Sequence, residues 1–222
     1  MRNSKGFTLV ELAIVLIIIG ILLGAILKGQ ELVDNSKIKR AISDMNSIFV
    51  AYNGYIDRYQ KKPGDDGPNA ATLQARGGSW ASVNAFGNVN GVLAATAANT
   101  FANGAAETTG FWEHVKAAGF IPGNITATGT AALPVNGFNG LVGVFNNNAA
   151  TPLTGAAVGV NVCLSQVPGK AAAAIDSQID DGVPNTGSVR ATVSATGTNT
   201  APGTAPTAAY SEVLEYTVCR GL

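Results

Sequence analysis

Residues 7–27 read FTLVELAIVLIIIGILLGAIL, an apolar run of 21 residues whose single charge is Glu11. At ~1.5 Å per residue a helix of this length spans roughly 31 Å, the thickness of a bilayer's hydrocarbon core. Ahead of it lies a short basic leader, Met1-Arg-Asn-Ser-Lys-Gly6. Basic flanks stay on the cytoplasmic side, which places everything after Lys28 across the membrane. A secretory signal also has a basic start and an apolar run, but its run is shorter, at about 7–15 residues, and ends in an A-x-A-like site. Here the run is long, no such site follows, and a carboxylate sits inside it. A charge at the centre of a membrane helix costs roughly 2.5–3.5 kcal/mol and less near its end, so Glu11 is either a snorkelling carboxylate on a plain anchor or a group with a partner.

The rest of the chain bounds the function. Of 222 residues only 13% are charged, and 14 Lys+Arg balance 14 Asp+Glu. Without a basic excess, nucleic acid is not expected as a partner. Two Cys and one His supply no zinc ligand set and little material for a nucleophile–His pair. Beyond the apolar run, Ile38, Ile42, Met45, Phe49, Tyr52, Ile56 and Tyr59 step by fours and threes, flanked by Ala41, Ile48 and Tyr55. Such a stripe serves either a coiled-coil seam or a face packed on a sheet. Pro63-Gly64 is expected to stop the helix. Residues 65–106, rich in Gly, Asn and Ala, read as loop. Thr108 or Thr109 is the expected N-cap of a short helix through Ala118, closed by Gly119. Strands are expected at 141–145, 158–164, 188–195 and 213–219, with a helix opened by Pro168 and running to Ile179. The Thr/Ala/Gly/Pro tract of 191–209 is expected to leave its strand as an exposed loop.

Lys5-Gly6-Phe7-Thr8-Leu9-Val10-Glu11-Leu12 resembles the processing site of type IV pilins and type II secretion pseudopilins. The resemblance implies a prepilin peptidase that cuts between Gly6 and Phe7 and methylates the new Phe7 amine. Glu11 falls where the family carries its assembly glutamate. It implies an α+β, type IV pilin-like fold, a long N-terminal helix on an antiparallel sheet head with loop-rich insertions. The stripe beyond the membrane then faces a sheet. The implied organisation is a leader (1–6), a transmembrane or filament-core half-helix (7–28), an amphipathic half packed on the head (29–62) and a globular head (63–222). Partners would be copies of itself or other pilins in a helical filament, the peptidase and the inner-membrane assembly machinery. The chain would wait as a single-pass protein of a bacterial inner membrane, N-terminus cytoplasmic, before joining an extracellular pilus or a periplasmic pseudopilus. Looser likenesses to large pilin-like proteins are Pro63-Gly64-Asp65, Gly87-Asn-Val-Asn-Gly91, Phe111-Trp-Glu-His-Val115 and Pro168-Gly-Lys170, none of which carries a catalytic role.

Three constellations remain. Asp65/Asp66 and Asp180/Asp181 are paired carboxylates beside glycine, oxygen ligands suited to calcium, which some pseudopilins bind, but equally ordinary turn chemistry. No other cofactor is indicated. His114 reads as a structural or solvated histidine, and no enzymatic activity is expected. Asn124-Ile-Thr126 fits the glycosylation sequon. Cys163 and Cys219 each point away from the apolar face of their strand, as cysteines bridging adjacent strands do. Such a pair would be oxidised beyond the membrane. This resembles the C-terminal disulfide loop of type IV pilins, which many pseudopilins lack. The reading is a filament subunit without catalysis. A secretion pseudopilin or minor pilin is the near alternative, and a membrane-tethered periplasmic binding module or an anchored hydrolase the distant ones.

Overall fold

The computed structural model describes residues 6, 8–104, 106–147, 153, 158–203 and 209–222. Two compact units emerge, Met1–Lys37 and Ile38–Leu222, joined by the continuous helix α1 (Leu9–Tyr59). From Leu12 to Leu27 α1 is apolar on every side. None of the side chains in its most apolar window is buried, and Leu16, Ile21 and Leu27 are about as open as Leu32 farther along. By length and composition this helix suffices to cross a membrane.

From Ile38 onward one face of α1 disappears into a core. The buried positions are Ile38, Ala41, Met45, Ile48, Ala51, Tyr52 and Tyr55. The helical period matches expectation, but the seam is rotated: Ile48 is buried where Phe49 was expected to lead, and Phe49 is 39% exposed. Ala41 and Ala51 leave room for close approach along the seam. Phe49 instead lies under the Arg220 guanidinium, 5.5 Å from its ring centroid. The helix also ends earlier than Pro63-Gly64 would require. Gln60 takes a left-handed φ of 55°, its N–H closing on Ile56 O at 2.8 Å, so Lys61 and Lys62 lie outside it.

The expected loop of 65–106 contains a short α2 (Ala70–Gln74), capped by Asn69, whose side chain accepts from Thr72 N. One turn of helix held by one cap leaves no periodicity to read. Helix α3 spans Ala106–Ala117, so Thr108 and Thr109 lie within it rather than capping it. Its end is as expected. Phe120 N reaches Val115 O and Gly119 N reaches Lys116 O, both at 3.0 Å, with Gly119 at φ 81°. This is the paired 6→1 and 5→2 closure that glycine favours.

Four antiparallel strands complete the head: β1 (Val142–Asn147), β2 (Gly159–Pro168), β3 (Val189–Ser194) and β4 (Glu215–Gly221), in the order β1-β2-β4-β3. Helix α4 (Gly169–Ile179) joins β2 to β3, with Pro168 closing the strand and capping the helix. Strand β2 outruns its expected end because the register shifts between Leu164 and Val167, at Gln166 with φ 55°, and pairing then resumes. Arg220 donates to Asn46 Oδ1 at 2.8 Å, so the face shared by Arg220, Val218 and Tyr216 is the one toward α1. The opposite face carries Cys163, Cys219, Thr217 and Thr192, and it too is covered. The Thr/Ala/Gly/Pro tract does this. After an exposed stretch at 195–199 it turns back, Thr217 Oγ1 donating to Thr200 O at 2.7 Å and Gly203 N to Thr192 Oγ1 at 3.2 Å. The described part of the tract through Gly203 is thus tied to the sheet rather than free in solvent.

The rotated seam makes a contrast. Ile48→Ala should cost about 2–4 kcal/mol and Phe49→Ala about 1 kcal/mol or less, read by denaturant titration of the detergent-solubilised chain. Equal losses would restore Phe49 to the seam.

Candidate functional site

Helix α1 starts with a reciprocal cap. Thr8 N and Thr8 Oγ1 both donate to Glu11 Oε2, at 2.8 and 2.9 Å, and Glu11 N donates back to Thr8 Oγ1 at 3.3 Å. Thr8 is the N-cap and Glu11 the third residue of the helix, a capping box that satisfies two otherwise orphaned donors. The Thr-x-x-Glu spacing was readable in the sequence, but the interest of Glu11 as a membrane charge obscured it. Gly6 is exposed and belongs to no element, while Phe7 and the leader residues 1–5 lie outside the described residues. The cleavage and methylation expected at Phe7 therefore rest on sequence.

Residues 1–27 match the prokaryotic N-terminal methylation motif. The chain carries the prepilin signature of type IV pilins and pseudopilins. No curated protein matches the chain. The long apolar helix followed by a four-stranded antiparallel sheet is an α+β, pilin-like layout.

In the head, Cys163 and Cys219 stand directly opposite each other in the β2–β4 register and form a disulfide, S–S 2.07 Å, across a sequence separation of 56. Both are at most 1% exposed. The strand alternation had turned the two thiols to one face, and the register now makes them neighbours.

The paired acids are parted by their hydrogen bonds. Asp65 accepts Asn90 N at 3.1 Å and Gly91 N at 2.6 Å, clamping the Gly87–Gly91 turn. Asp66 accepts the Tyr55 hydroxyl at 2.6 Å and Arg76 Nη2 at 2.9 Å. The Arg76 guanidinium in turn lies over both the Tyr59 and Trp80 rings, 4.7 and 4.5 Å from their centroids. Asp180 Oδ2 accepts Val189 N at 3.0 Å and also Ser188 N, fixing the entry to β3. Asp181 accepts Val183 N at 2.9 Å and the Thr186 hydroxyl. Asp176, which the sequence reading passed over, joins Asp180 and Asp181, each offering an oxygen within 4.8 Å of the others. Its i, i+4 spacing to Asp180 at the end of α4 was the available signal. Asp176 already accepts the Tyr210 hydroxyl at 2.7 Å and Gly182 N at 3.3 Å, and burial raises its pKa above the ordinary value. These carboxylates hold loops.

His114 holds one too. Its Nδ1 accepts Gly64 N at 3.0 Å; since a backbone N–H only donates, Nε2 carries the proton and donates to Ala85 O at 3.0 Å. The adjacent Glu113 accepts Asn84 N and Ala85 N at 2.7 and 2.9 Å. The Phe-Trp-Glu-His-Val segment is therefore a structural clasp, with the adjacent Glu113 and His114 binding the 64–85 stretch and Phe111, Trp112 and Val115 buried. The approach is close: a Cβ on Gly87 would sit 2.3 Å from Asp65 Cα, so that position must stay glycine.

Two outcomes follow from this geometry. Burial lowers the His114 pKa from 6.5 to about 4. Folded protein thus refuses a proton that the unfolded chain accepts, so stability is full above 6.5 and is lost as pH falls toward 4. The loss is about 3 kcal/mol. His114→Gln offers one donor and one acceptor without titrating, so the stability gap between wild type and variant should shift by that amount between these pH values in denaturant titrations; parallel profiles would remove His114 as the cause. Replacing Cys163 and Cys219 by Ser should cost about 3 kcal/mol. For a chain of this size that is roughly 6–12 °C in Tm, measured by scanning fluorimetry of the solubilised protein.

Proposed function

We propose that this chain is a structural subunit of a type IV pilus-like filament, freed by a prepilin peptidase between Gly6 and Phe7 and methylated on Phe7. One observation carries the proposal. The methylation motif runs into a helix whose apolar side chains find no cover in their own unit. Such a surface needs lipid before assembly and the same helix of other copies afterwards. The head across the membrane supplies the outer surface, and its buried Cys163–Cys219 bridge favours a pilus over a secretion pseudopilin with the same front end.

Glu11 gives the assembly its register in this reading. In the uncut chain its carboxylate satisfies Thr8. Cleavage leaves a positive amine on Phe7 at the start of the helix. A charge held in a low-dielectric interior without a partner is strongly destabilising. Each incoming subunit brings one such amine, and Glu11 of a neighbour is the carboxylate that meets it. Pairing between subunits then fixes the axial step as each helix leaves the bilayer.

Mass spectrometry of sheared surface filaments tests this, comparing wild type with Glu11→Gln. Glutamine still accepts the Thr8 bonds, so the cap and the cut survive while the charge is gone. The wild-type subunit should begin at a methylated Phe7. The variant should begin there too, yet remain in the membrane fraction with at least tenfold less in filaments. A mature N-terminus beyond Leu27 would overturn the filament reading, and wild-type incorporation of Glu11→Gln would overturn the pairing.

A further inference from the structure

Asn124-Ile125-Thr126 lies on the loop that leaves α3, in the head. Of all the asparagines in the chain it alone is followed two residues later by Ser or Thr. Asn124 and Thr126 are exposed, and between them Ile125 is half-buried against the core and anchors the turn. Asn124 Oδ1 accepts Thr126 N at 3.0 Å and the Thr126 hydroxyl at 2.9 Å. Because a backbone N–H only donates, the atom facing Thr126 must be the oxygen, and the amide nitrogen therefore faces away. Below the turn, the ammonium of the buried Lys116 donates to Asn124 O at 3.1 Å and to Ala132 O at 2.7 Å, fixing both ends of the loop. No charged residue occurs between Lys116 and Lys170. The result is an uncharged, anchored turn that offers a primary amide with a hydroxyl beside it.

We infer that Asn124 is an acceptor for N-linked sugar, modified on the far side of the membrane by an oligosaccharyl transferase. The donor class is a glycan on an isoprenoid diphosphate. The Asn124 nitrogen bonds to the anomeric carbon, the carbon–oxygen bond to the diphosphate breaks, the diphosphate leaves with the electron pair, and the nitrogen gives up one proton. No redox partner enters. The sequon alone is a short pattern; the outward nitrogen, the exposure of both polar members and the pinned loop make it a usable acceptor. The inference rests on the head crossing the membrane, as in the filament reading.

The test uses protein taken from the cells that encode it, reduced and digested with trypsin, and reads the peptide of residues 117–170 by fragmentation mass spectrometry. Sugar mass on Asn124 is expected. It should disappear in Asn124→Gln and in Thr126→Ala and persist in Thr126→Ser, which keeps the hydroxyl. Both positions are at the surface, and an unchanged Tm confirms intact folding. A wholly unmodified wild-type peptide would overturn the inference. So would sugar placed on the hydroxyls of Thr126, Thr128 or Thr130. The N-terminal peptide in the same digest separates the two readings: a methylated Phe7 with a bare Asn124 fails the acceptor and leaves the filament standing.

Discussion

A helix that cannot cover itself governs this molecule. Between Leu9 and Leu27 side chains of Leu, Ile and Val point in every direction, and none is buried in the unit that contains them. Each such side chain left in water forgoes about 1.5–3 kcal/mol relative to burial. The run fits a membrane anchor by length and composition, and Glu11 is the one charge at its start. The capping box keeps that carboxylate partnered while the chain is uncut.

In the head the difficulty is reversed. With few charges, 27 glycines in the chain and long Ala/Thr/Asn stretches, it has limited apolar surface to bury around its loops. The loops are held by side-chain acceptors instead, Asp65, Glu107 and Glu113 among them buried. Asp65 clamps the turn at Gly91, Glu107 holds Ala94 N, Glu113 holds Asn84 and Ala85, and Asp180 holds the start of β3. Asn199 Oδ1 alone gathers Ser165 Oγ, Gln166 Nε2 and Leu141 N, binding the low-complexity tract to the β2 bulge. Each buried acceptor satisfies backbone donors that would otherwise cost about 1–3 kcal/mol apiece. The acidic doublets and the lone histidine, the residues a search for catalysis reaches first, are absorbed by this task.

Periodic features were legible in the sequence. The apolar run, the stripe beginning at Ile38, the Gly119 terminus and all four strands stand near where pattern places them. What escaped was set by tertiary contact. The seam of α1 rotated toward Ala41 and Ile48 because small residues admit closer packing, while Arg220, distant in sequence, holds Phe49 at the margin. Strand β1 extends into Asn146 and Asn147, residues poor in β propensity, because Ala95 O and Leu93 O receive the Asn146 N–H groups. The tract after β3 carries no pattern at all, and its path follows from hydrogen bonds to Thr192 and Thr217.

The order of the sheet explains why the bridge sits where it does. Strands β1 and β2 are neighbours in the chain and pair at small entropic cost, as do β3 and β4 across a loop. The pairing of β2 with β4 closes the longest loop, spanning α4, β3 and the low-complexity tract, and loop closure must be met before the contacts reward it. It is also the pairing on which the sheet's continuity depends, since β3 reaches the rest only through β4. Cys163 and Cys219 cross-link that pair at its middle, directly opposite in register. A covalent link there converts the least local step of folding into one that cannot reopen.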